Sequence, residues 1–265
     1  MRVSGSIVNL SAIGIVASAL ADVTHEVLGH LVAAWWVGDR IISISTVALQ
    51  SAAESRFVAG AGTTANLIIG AVSLLIMNAL KGDDRKGTGF IIFLWLFAAF
   101  NLLNCGYLVV SALLGSGDWA VVTKGLAGTV VWRVALAVLG ATLYVRSLHW
   151  LARSMGRLVE RNKVALPQVR QIVIAGYVAG GAVMTLASVF NPISPDLILV
   201  SGVGASFGLF AGMLLIPGTL RSRFPAAGAA GPASTSLSVG WILLAVVVGG
   251  SFIAVLGPGI RFGAA

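Results

Sequence analysis

Residues 7–36 read IVNLSAIGIVASALADVTHEVLGHLVAAWW, an apolar run that carries ionisable side chains in its second half. The run is long enough for a transmembrane helix, because about 20 apolar residues cross roughly 30 Å of hydrocarbon. His25, Glu26 and His30 lie in it, and they include two of the three histidines of the chain. Ionisable groups are costly at that depth, so these residues are the first candidates for a functional site.

The composition indicates an all-α polytopic membrane protein. Of the 265 residues, 58% are hydrophobic and 10% are charged, whereas about 25% of residues in soluble domains are charged. A membrane β-barrel would instead show short alternating stretches. The net charge of +8 does not indicate a nucleic-acid partner, because the basic residues flank apolar runs. We predict about seven transmembrane helices, near Ile7–Trp36, Phe57–Leu80, Gly89–Leu114, Thr129–Trp150, Gln171–Phe190, Leu197–Pro217 and Leu237–Leu256.

The basic residues also predict the orientation of these spans. With seven spans they concentrate on the side of the N-terminus, and the positive-inside rule then places the N-terminus in the cytoplasm. The expected location is the inner (plasma) membrane of a bacterium. Ala19-Leu20-Ala21 resembles the cleavage site of a signal peptide. Because the apolar run continues beyond it to Trp36, we expect the first span to be retained.

A short β segment is expected after the first helix. Residues 41–49 read IISISTVAL, which is partly alternating and rich in β-branched side chains. This pattern favours a strand or a hairpin. A strand at membrane depth needs its backbone polar groups paired or covered by protein.

The spacing of the two histidines decides how they could share a metal ion. In a His-Glu-x-x-His motif the histidines are four residues apart and share a helix face. Here they are five apart, which is roughly 140° around a regular α-helix. A π-bulge would realign His25 with His30, and Gly29 offers the backbone freedom for it. In the alternative, Glu26 and His30 are the metal ligands. Asp22 lies one turn before Glu26, and His25 lies near Asp22 without binding the metal itself.

A third protein ligand is needed if one coordination position is to stay open for water. Asp118 is the best candidate, in Gly115-Ser116-Gly117-Asp118-Trp119 after the third span. Its alternative role is to cap a helix that begins at Trp119. Without a metal, the same polar side chains would form a cluster that packs helices together.

These residues resemble the site-2 protease family of intramembrane zinc metalloproteases. Residues 24–31, THEVLGHL, look like the family's His-Glu-Leu-Gly-His signature with one residue inserted. Residues 59–67, AGAGTTANL, are similar to its Gly-Pro-x-x-Asn segment, and the β segment between the two also fits. Gly117-Asp118-Trp119 is the counterpart of its Leu-Asp-Gly or Asn-Pro-Asp-Gly element. The resemblance covers about residues 20–120.

The resemblance implies a zinc site and a role for each of its residues. His25, His30 and Asp118 would bind Zn²⁺. Glu26 would take a proton from the metal-activated water that attacks a peptide carbonyl. Asn66 would hold the unwound substrate or stabilise the oxyanion; in its alternative role it only bonds neighbouring helices.

Three further polar residues are candidates for supporting contacts around the site. Asp22 precedes the histidines, while Asn101 and Asn104 are i,i+3 neighbours that either face one cavity or pack between helices. The expected metal-site membrane core is residues 1–128, and residues 129–265 are additional helices of the same membrane domain.

The expected function is that of a zinc metalloendopeptidase that hydrolyses membrane-embedded peptides or proteins. Its expected partners are membrane lipid, such a substrate and other membrane subunits, without nucleic acid. Two alternatives stay open. In the first, the altered histidine spacing has removed hydrolysis and left a noncatalytic scaffold or subunit of a membrane complex. In the second, Asp22, His25 and Glu26 form the relay of a proton-coupled transporter.

Overall fold

The computed structural model describes residues 3–53, 55–80, 87–224 and 238–263. Among these residues, seven helices are long and apolar enough to cross a membrane, which confirms the predicted number. The fourth continues to Glu160 rather than ending near Trp150, and the predicted start of the last, Leu237, lies outside the described residues. The seven are Ile7–Trp36, Arg56–Ala79, Thr88–Leu114, Thr129–Glu160, Leu166–Ser188, Ile198–Arg223 and Val239–Leu256.

The first span consists of three helical segments. They are α1 (Val3–Val23), a π-helix (Thr24–Leu31) and α2 (Val32–Trp36). The π-helix confirms the i to i+5 bonding that the histidine spacing predicts, and it extends over eight residues. All three ionisable residues of the opening motif lie within it.

The second and third spans bring the remaining site residues into place. The second span is α3 (Arg56–Ala79), and the third is divided into α4 (Thr88–Leu103) and α5 (Gly106–Leu114). A short turn follows, in which Gly115 and Gly117 have φ values of 68° and 81°. Glycine adopts such values without the steric cost that other residues incur. This turn leads directly into α6 (Asp118–Thr123).

The later helices are less regular than the sequence predicts. At 1.5 Å per residue, the fourth span is about 48 Å long, longer than the hydrocarbon layer. Residues 146–170, which are rich in arginine, are therefore largely the end of this helix and the start of the next. The elements are α7 (Thr129–Glu160), α8 (Leu166–Ser188), a π-helix (Ile198–Leu209), a 3₁₀-helix (Ala211–Leu215), α9 (Ile216–Arg223), α10 (Val239–Ser251) and a π-helix (Phe252–Leu256).

The predicted hairpin is present, and a third strand joins it. Strands β1 (Ile41–Ile44) and β2 (Leu49–Ser51) pair antiparallel, with Ile44 opposite Leu49. Strand β3 (Ile260–Arg261) pairs antiparallel with the other edge of β1, so the order is β2-β1-β3. The third strand was not predicted, because a two-residue pairing between distant parts of the chain leaves no local pattern.

The buried centre of the bundle is α4. Trp95 is fully enclosed and donates its indole N–H to the carbonyl of Leu151 at 3.2 Å. Phe100 meets Phe210 edge to face, with ring centroids 5.0 Å apart. α1 and α3 pack on this helix, and α8 packs on α1. The helices that carry the site are thereby held on a rigid support.

Candidate metal centre

The π-helix brings the two histidines of the first span together. The Nε2 atoms of His25 and His30 are 3.1 Å apart, and the two rings meet edge to face. On a regular α-helix the same residues would diverge by roughly 140°. The alternative in which Glu26 and His30 are the paired ligands is therefore wrong for this structure, since His25 occupies that place.

Asp118 completes the group from the other side. Its Oδ2 atom lies 3.3 Å from Nε2 of His25 and 3.3 Å from Nε2 of His30. α6 begins at Asp118 itself, and its N-cap residue is Gly117, so the capping role expected of Asp118 is wrong. Burial opposes ionisation of Asp118, but the adjacent imidazoles, when they are protonated, outweigh it and hold the pKa of Asp118 below its usual range.

The three donor atoms fit a tetrahedral zinc ion. They form a triangle with sides of 3.1, 3.3 and 3.3 Å. A tetrahedral ion with bonds of about 2.0–2.1 Å separates its ligand atoms by about 3.3–3.4 Å. Two imidazoles and one carboxylate are also ligands that zinc commonly takes at sites with one open position.

Each imidazole is oriented through its other nitrogen. Nδ1 of His25 is 2.7 Å from Oδ1 of Asn66, and Nδ1 of His30 is 2.7 Å from the carbonyl oxygen of Val58. A carbonyl oxygen only accepts, so both Nδ1 atoms carry the hydrogen. The Nε2 atoms of the neutral rings then carry no hydrogen, and their lone pairs point at each other and at the carboxylate of Asp118. These lone pairs repel one another unless a cation or a proton lies between them.

Asn66 is part of a hydrogen-bonded chain that reaches α4. Its Nδ2 donates to the carbonyl of Ala21 at 3.0 Å and to Oδ1 of Asn101 at 2.8 Å. Nδ2 of Asn101 donates to the carbonyl of Phe97 at 2.8 Å. These acceptors determine the orientation of the Asn66 amide, so its Oδ1 must face His25. Because both N–H bonds of Asn66 are already donated, the expected role as a hydrogen-bond donor to substrate is not supported.

Glu26 lies beside the triangle with one oxygen free. Its side chain is 5% exposed, and Oε2 has no hydrogen-bond partner among the described residues. Asp22 resembles it, since its Oδ2 is also buried and lacks a partner there. A carboxylate oxygen without a protein donor can accept a proton from a water molecule.

Two cavities adjoin the triangle. One of about 80 Å³ is lined by His25, Glu26 and Asp118, and also by Asn104 and Tyr107. Asn101 is fully buried behind it, so the two asparagines do not both face this cavity as one prediction had it. The other cavity, of about 420 Å³, is lined by His30, Asp118 and the residues of β2.

The close approach of α3 to the π-helix depends on two glycines. A Cβ atom on Gly29 would lie 2.5 Å from the Cα of Gly62. A Cβ atom on Gly62 would lie 2.5 Å from Nε2 of His30 and 2.7 Å from Nε2 of His25. Gly62 therefore provides the space in which the imidazoles meet.

Several contributors to the site were not identified from the sequence. The carbonyl of Val58 carries no sequence signal, because every residue has one. Trp119 donates its indole N–H to Oγ1 of Thr63 at 3.1 Å, which ties α6 to α3. Gly62 lies inside the segment 59–67 that resembles a family motif. A glycine there was a signal that could have indicated close contact with another helix. Tyr107, three residues after Asn104, gave no pattern of its own.

The three metal donors come from two segments of the chain, the π-helix of the first span and α6, and their geometry suits zinc. The sequence similarity that first indicated such a site covers only short motifs. Comparisons of the whole chain with protein-family models, with curated proteins and with solved structures give no match.

Proposed function

We propose that this protein is an intramembrane zinc metalloprotease, which hydrolyses peptide bonds of membrane-embedded substrates. The observation that carries the proposal is the triangle of His25, His30 and Asp118 with sides of 3.1–3.3 Å. The free carboxylate of Glu26 beside it supplies the general base that such a hydrolase needs.

The residues of the site divide the chemistry among them. Zinc, when bound, lowers the pKa of a coordinated water and polarises a carbonyl group. His25, His30 and Asp118 hold the ion, while Asn66 and the Val58 carbonyl keep both imidazoles in the tautomer that binds metal. Glu26 takes the proton of the attacking water and later delivers it to the leaving amine.

The larger cavity suits an extended polypeptide. It is lined by β2, and β2 is an edge of the three-stranded sheet. An edge strand has unpaired backbone groups that can pair with an added strand. A substrate segment bound there in extended form would expose its carbonyl groups, which a helical segment does not.

The noncatalytic alternative receives less support than the hydrolase. An unbroken α-helix with His25 and His30 on different faces would favour it, and the segment is instead a π-helix. The transporter alternative finds some support in the unpartnered Asp22 carboxylate near Glu26. A proton flux that is present in the wild type and lost in Glu26→Gln, measured in vesicles with a pH-sensitive dye, would favour that alternative.

The test begins with metal analysis of the protein purified without chelators. We expect stoichiometric zinc in the wild type and its loss in His25→Ala, His30→Ala and Asp118→Ala. His149→Ala is the matched control, because this third histidine is exposed and bonds only the carbonyl of Val145 in its own helix among the described residues. Equal metal content in all these variants would contradict the site.

Hydrolysis is tested with a pool of single-span model peptides, reconstituted with the protein into vesicles and analysed by mass spectrometry. We expect cleavage by the zinc-loaded wild type and none by its chelator-treated form. A zinc-loaded protein that cleaves no peptide in the pool, in vesicles where the helices are intact by circular dichroism, would support the noncatalytic alternative.

A further inference from the structure

Tyr107 occupies the same cavity as the general base. It is the second residue of α5, after the break at Asn104 and Cys105 that separates this helix from α4. Its ring meets the ring of His25 edge to face, with centroids 6.5 Å apart. It also lines the 80 Å³ cavity together with Glu26 and Asp118. The phenol is therefore next to a proposed zinc ligand on the side where a substrate carbonyl would meet Glu26.

The hydroxyl of Tyr107 lies close to the turn that positions Asp118. A Cβ atom built on Gly117 would be 2.9 Å from this hydroxyl oxygen. Ser201, in the π-helix Ile198–Leu209, lines the same cavity. A phenol hydroxyl can donate its hydrogen to an acceptor in this cavity.

The expected oxyanion donor is already occupied. Both N–H bonds of Asn66 are donated to Ala21 and Asn101, and its oxygen accepts from His25. A tetrahedral intermediate of peptide hydrolysis nevertheless requires stabilisation of the negative charge that develops on the carbonyl oxygen. Zinc, when bound, would supply part of it, and a hydrogen-bond donor at the cavity would add to it.

We propose that Tyr107 is a further catalytic residue, whose O–H donates a hydrogen bond to that oxyanion. This inference rests on the proposed hydrolase function. Water oxygen bonds to the carbonyl carbon, the C=O π pair moves to the carbonyl oxygen, and the water proton passes to Glu26. The C–N bond then breaks as Glu26 returns the proton to the amine. Tyr107 keeps its own proton throughout and only donates a hydrogen bond.

The test uses a small anionic ligand and does not require a known substrate. The wild type and Tyr107→Phe are loaded with Co²⁺, whose visible absorption reports metal binding, and are titrated with acetohydroxamate, which presents an oxygen anion at the metal. We expect unchanged Co²⁺ binding and an affinity for acetohydroxamate that is about 10- to 100-fold weaker in Tyr107→Phe, as for the loss of a hydrogen bond to a charged group.

Tyr177→Phe is the matched control. It also removes a phenol hydroxyl, which bonds the carbonyl of Phe207 at 3.0 Å and does not line the cavity. This control should bind acetohydroxamate like the wild type. If Tyr107→Phe does not fold, Tyr107→Leu provides a second variant that removes the hydroxyl, and it should weaken acetohydroxamate in the same way.

Three outcomes would overturn the inference. Equal acetohydroxamate affinities in the wild type and Tyr107→Phe would exclude a donated hydrogen bond. Loss of Co²⁺ from Tyr107→Phe would assign Tyr107 to positioning Asp118, because the phenol hydroxyl lies against Gly117. Absence of Co²⁺ from the wild type itself would overturn the proposed function and, with it, this inference.

Discussion

Gly62→Ala should abolish metal binding while leaving the helices intact. The added methyl carbon would lie 2.5 Å from Nε2 of His30 and 2.7 Å from Nε2 of His25. Carbon contacts are favourable at about 3.5–4.0 Å, so at least one ring, or the whole of α3, must move by roughly 1 Å. Metal–ligand distances tolerate only about ±0.2 Å. The displacement is therefore several times larger than the site can accommodate.

The magnitude follows from what smaller perturbations cost. Loss of a group that merely orients a metal ligand typically weakens binding by about 10- to 100-fold. Gly62→Ala displaces the ligands themselves, so we expect zinc affinity to fall by more than about 100-fold. Alanine also favours the helix over glycine by about 1 kcal/mol. The change in helix propensity should therefore not destabilise α3.

Gly60→Ala is the control, two residues earlier on the same helix. A Cβ atom there would meet only Cγ2 of Val122, at an ordinary contact distance of 3.6 Å. Zinc affinity is measured by competition with a chromophoric chelator, and helix content by circular dichroism. A Gly62→Ala protein that binds zinc as tightly as Gly60→Ala would refute the placement of the imidazoles against α3.

Three more predictions concern the base, the support of His25 and the size of the cavity. Glu26→Gln should keep its zinc in metal analysis but lower peptide cleavage by about 10²- to 10⁴-fold, because the general base is lost; loss of zinc would show that Glu26 is a ligand. Asn66→Ala should weaken zinc by about 10- to 100-fold in the chelator competition, because Nδ1 of His25 loses its acceptor; unchanged affinity would contradict this role. Model peptides with alanine at the cleaved position should be cut faster than those with phenylalanine, because an 80 Å³ cavity is smaller than the roughly 150 Å³ that holds a benzene ring; equal rates by mass spectrometry would show that the cavity opens on binding.

The seven helices that are long and apolar enough to cross a membrane were accessible from the sequence, because hydropathy is a local property. A window of about 20 apolar residues is sufficient to indicate a span, whatever it packs against. The π-helix was also accessible, since the five-residue spacing of His25 and His30 is compatible with a shared ion only in that geometry. The extra length of α7 was missed, because its end, near Met155 and Leu158, is buried against other helices and does not need to be apolar all round.

The roles of the asparagines could not be read from the sequence. Asn66 occurs in a segment that resembles a substrate-binding motif, and Asn101 and Asn104 have a spacing that suggests a shared cavity. The structure instead assigns Asn66 to His25 and Asn101 to Asn66, and of the three asparagines Asn66 and Asn104 line the cavity while Asn101 does not. An amide side chain offers both donors and an acceptor, so its partner is decided by which neighbours packing brings within reach.

The sequence by itself determined that this is a helical, apolar chain with a cluster of ionisable groups inside a run long enough to cross a membrane, because composition and spacing are properties of the covalent chain. Only the tertiary structure decided that Asp118, 93 residues away from His25, meets both imidazoles. That meeting depends on the left-handed turn at Gly115 and Gly117, and on the contact of α6 with α3. A metal centre is a relation among atoms distant in sequence, and packing alone brings them within the few ångströms that coordination requires.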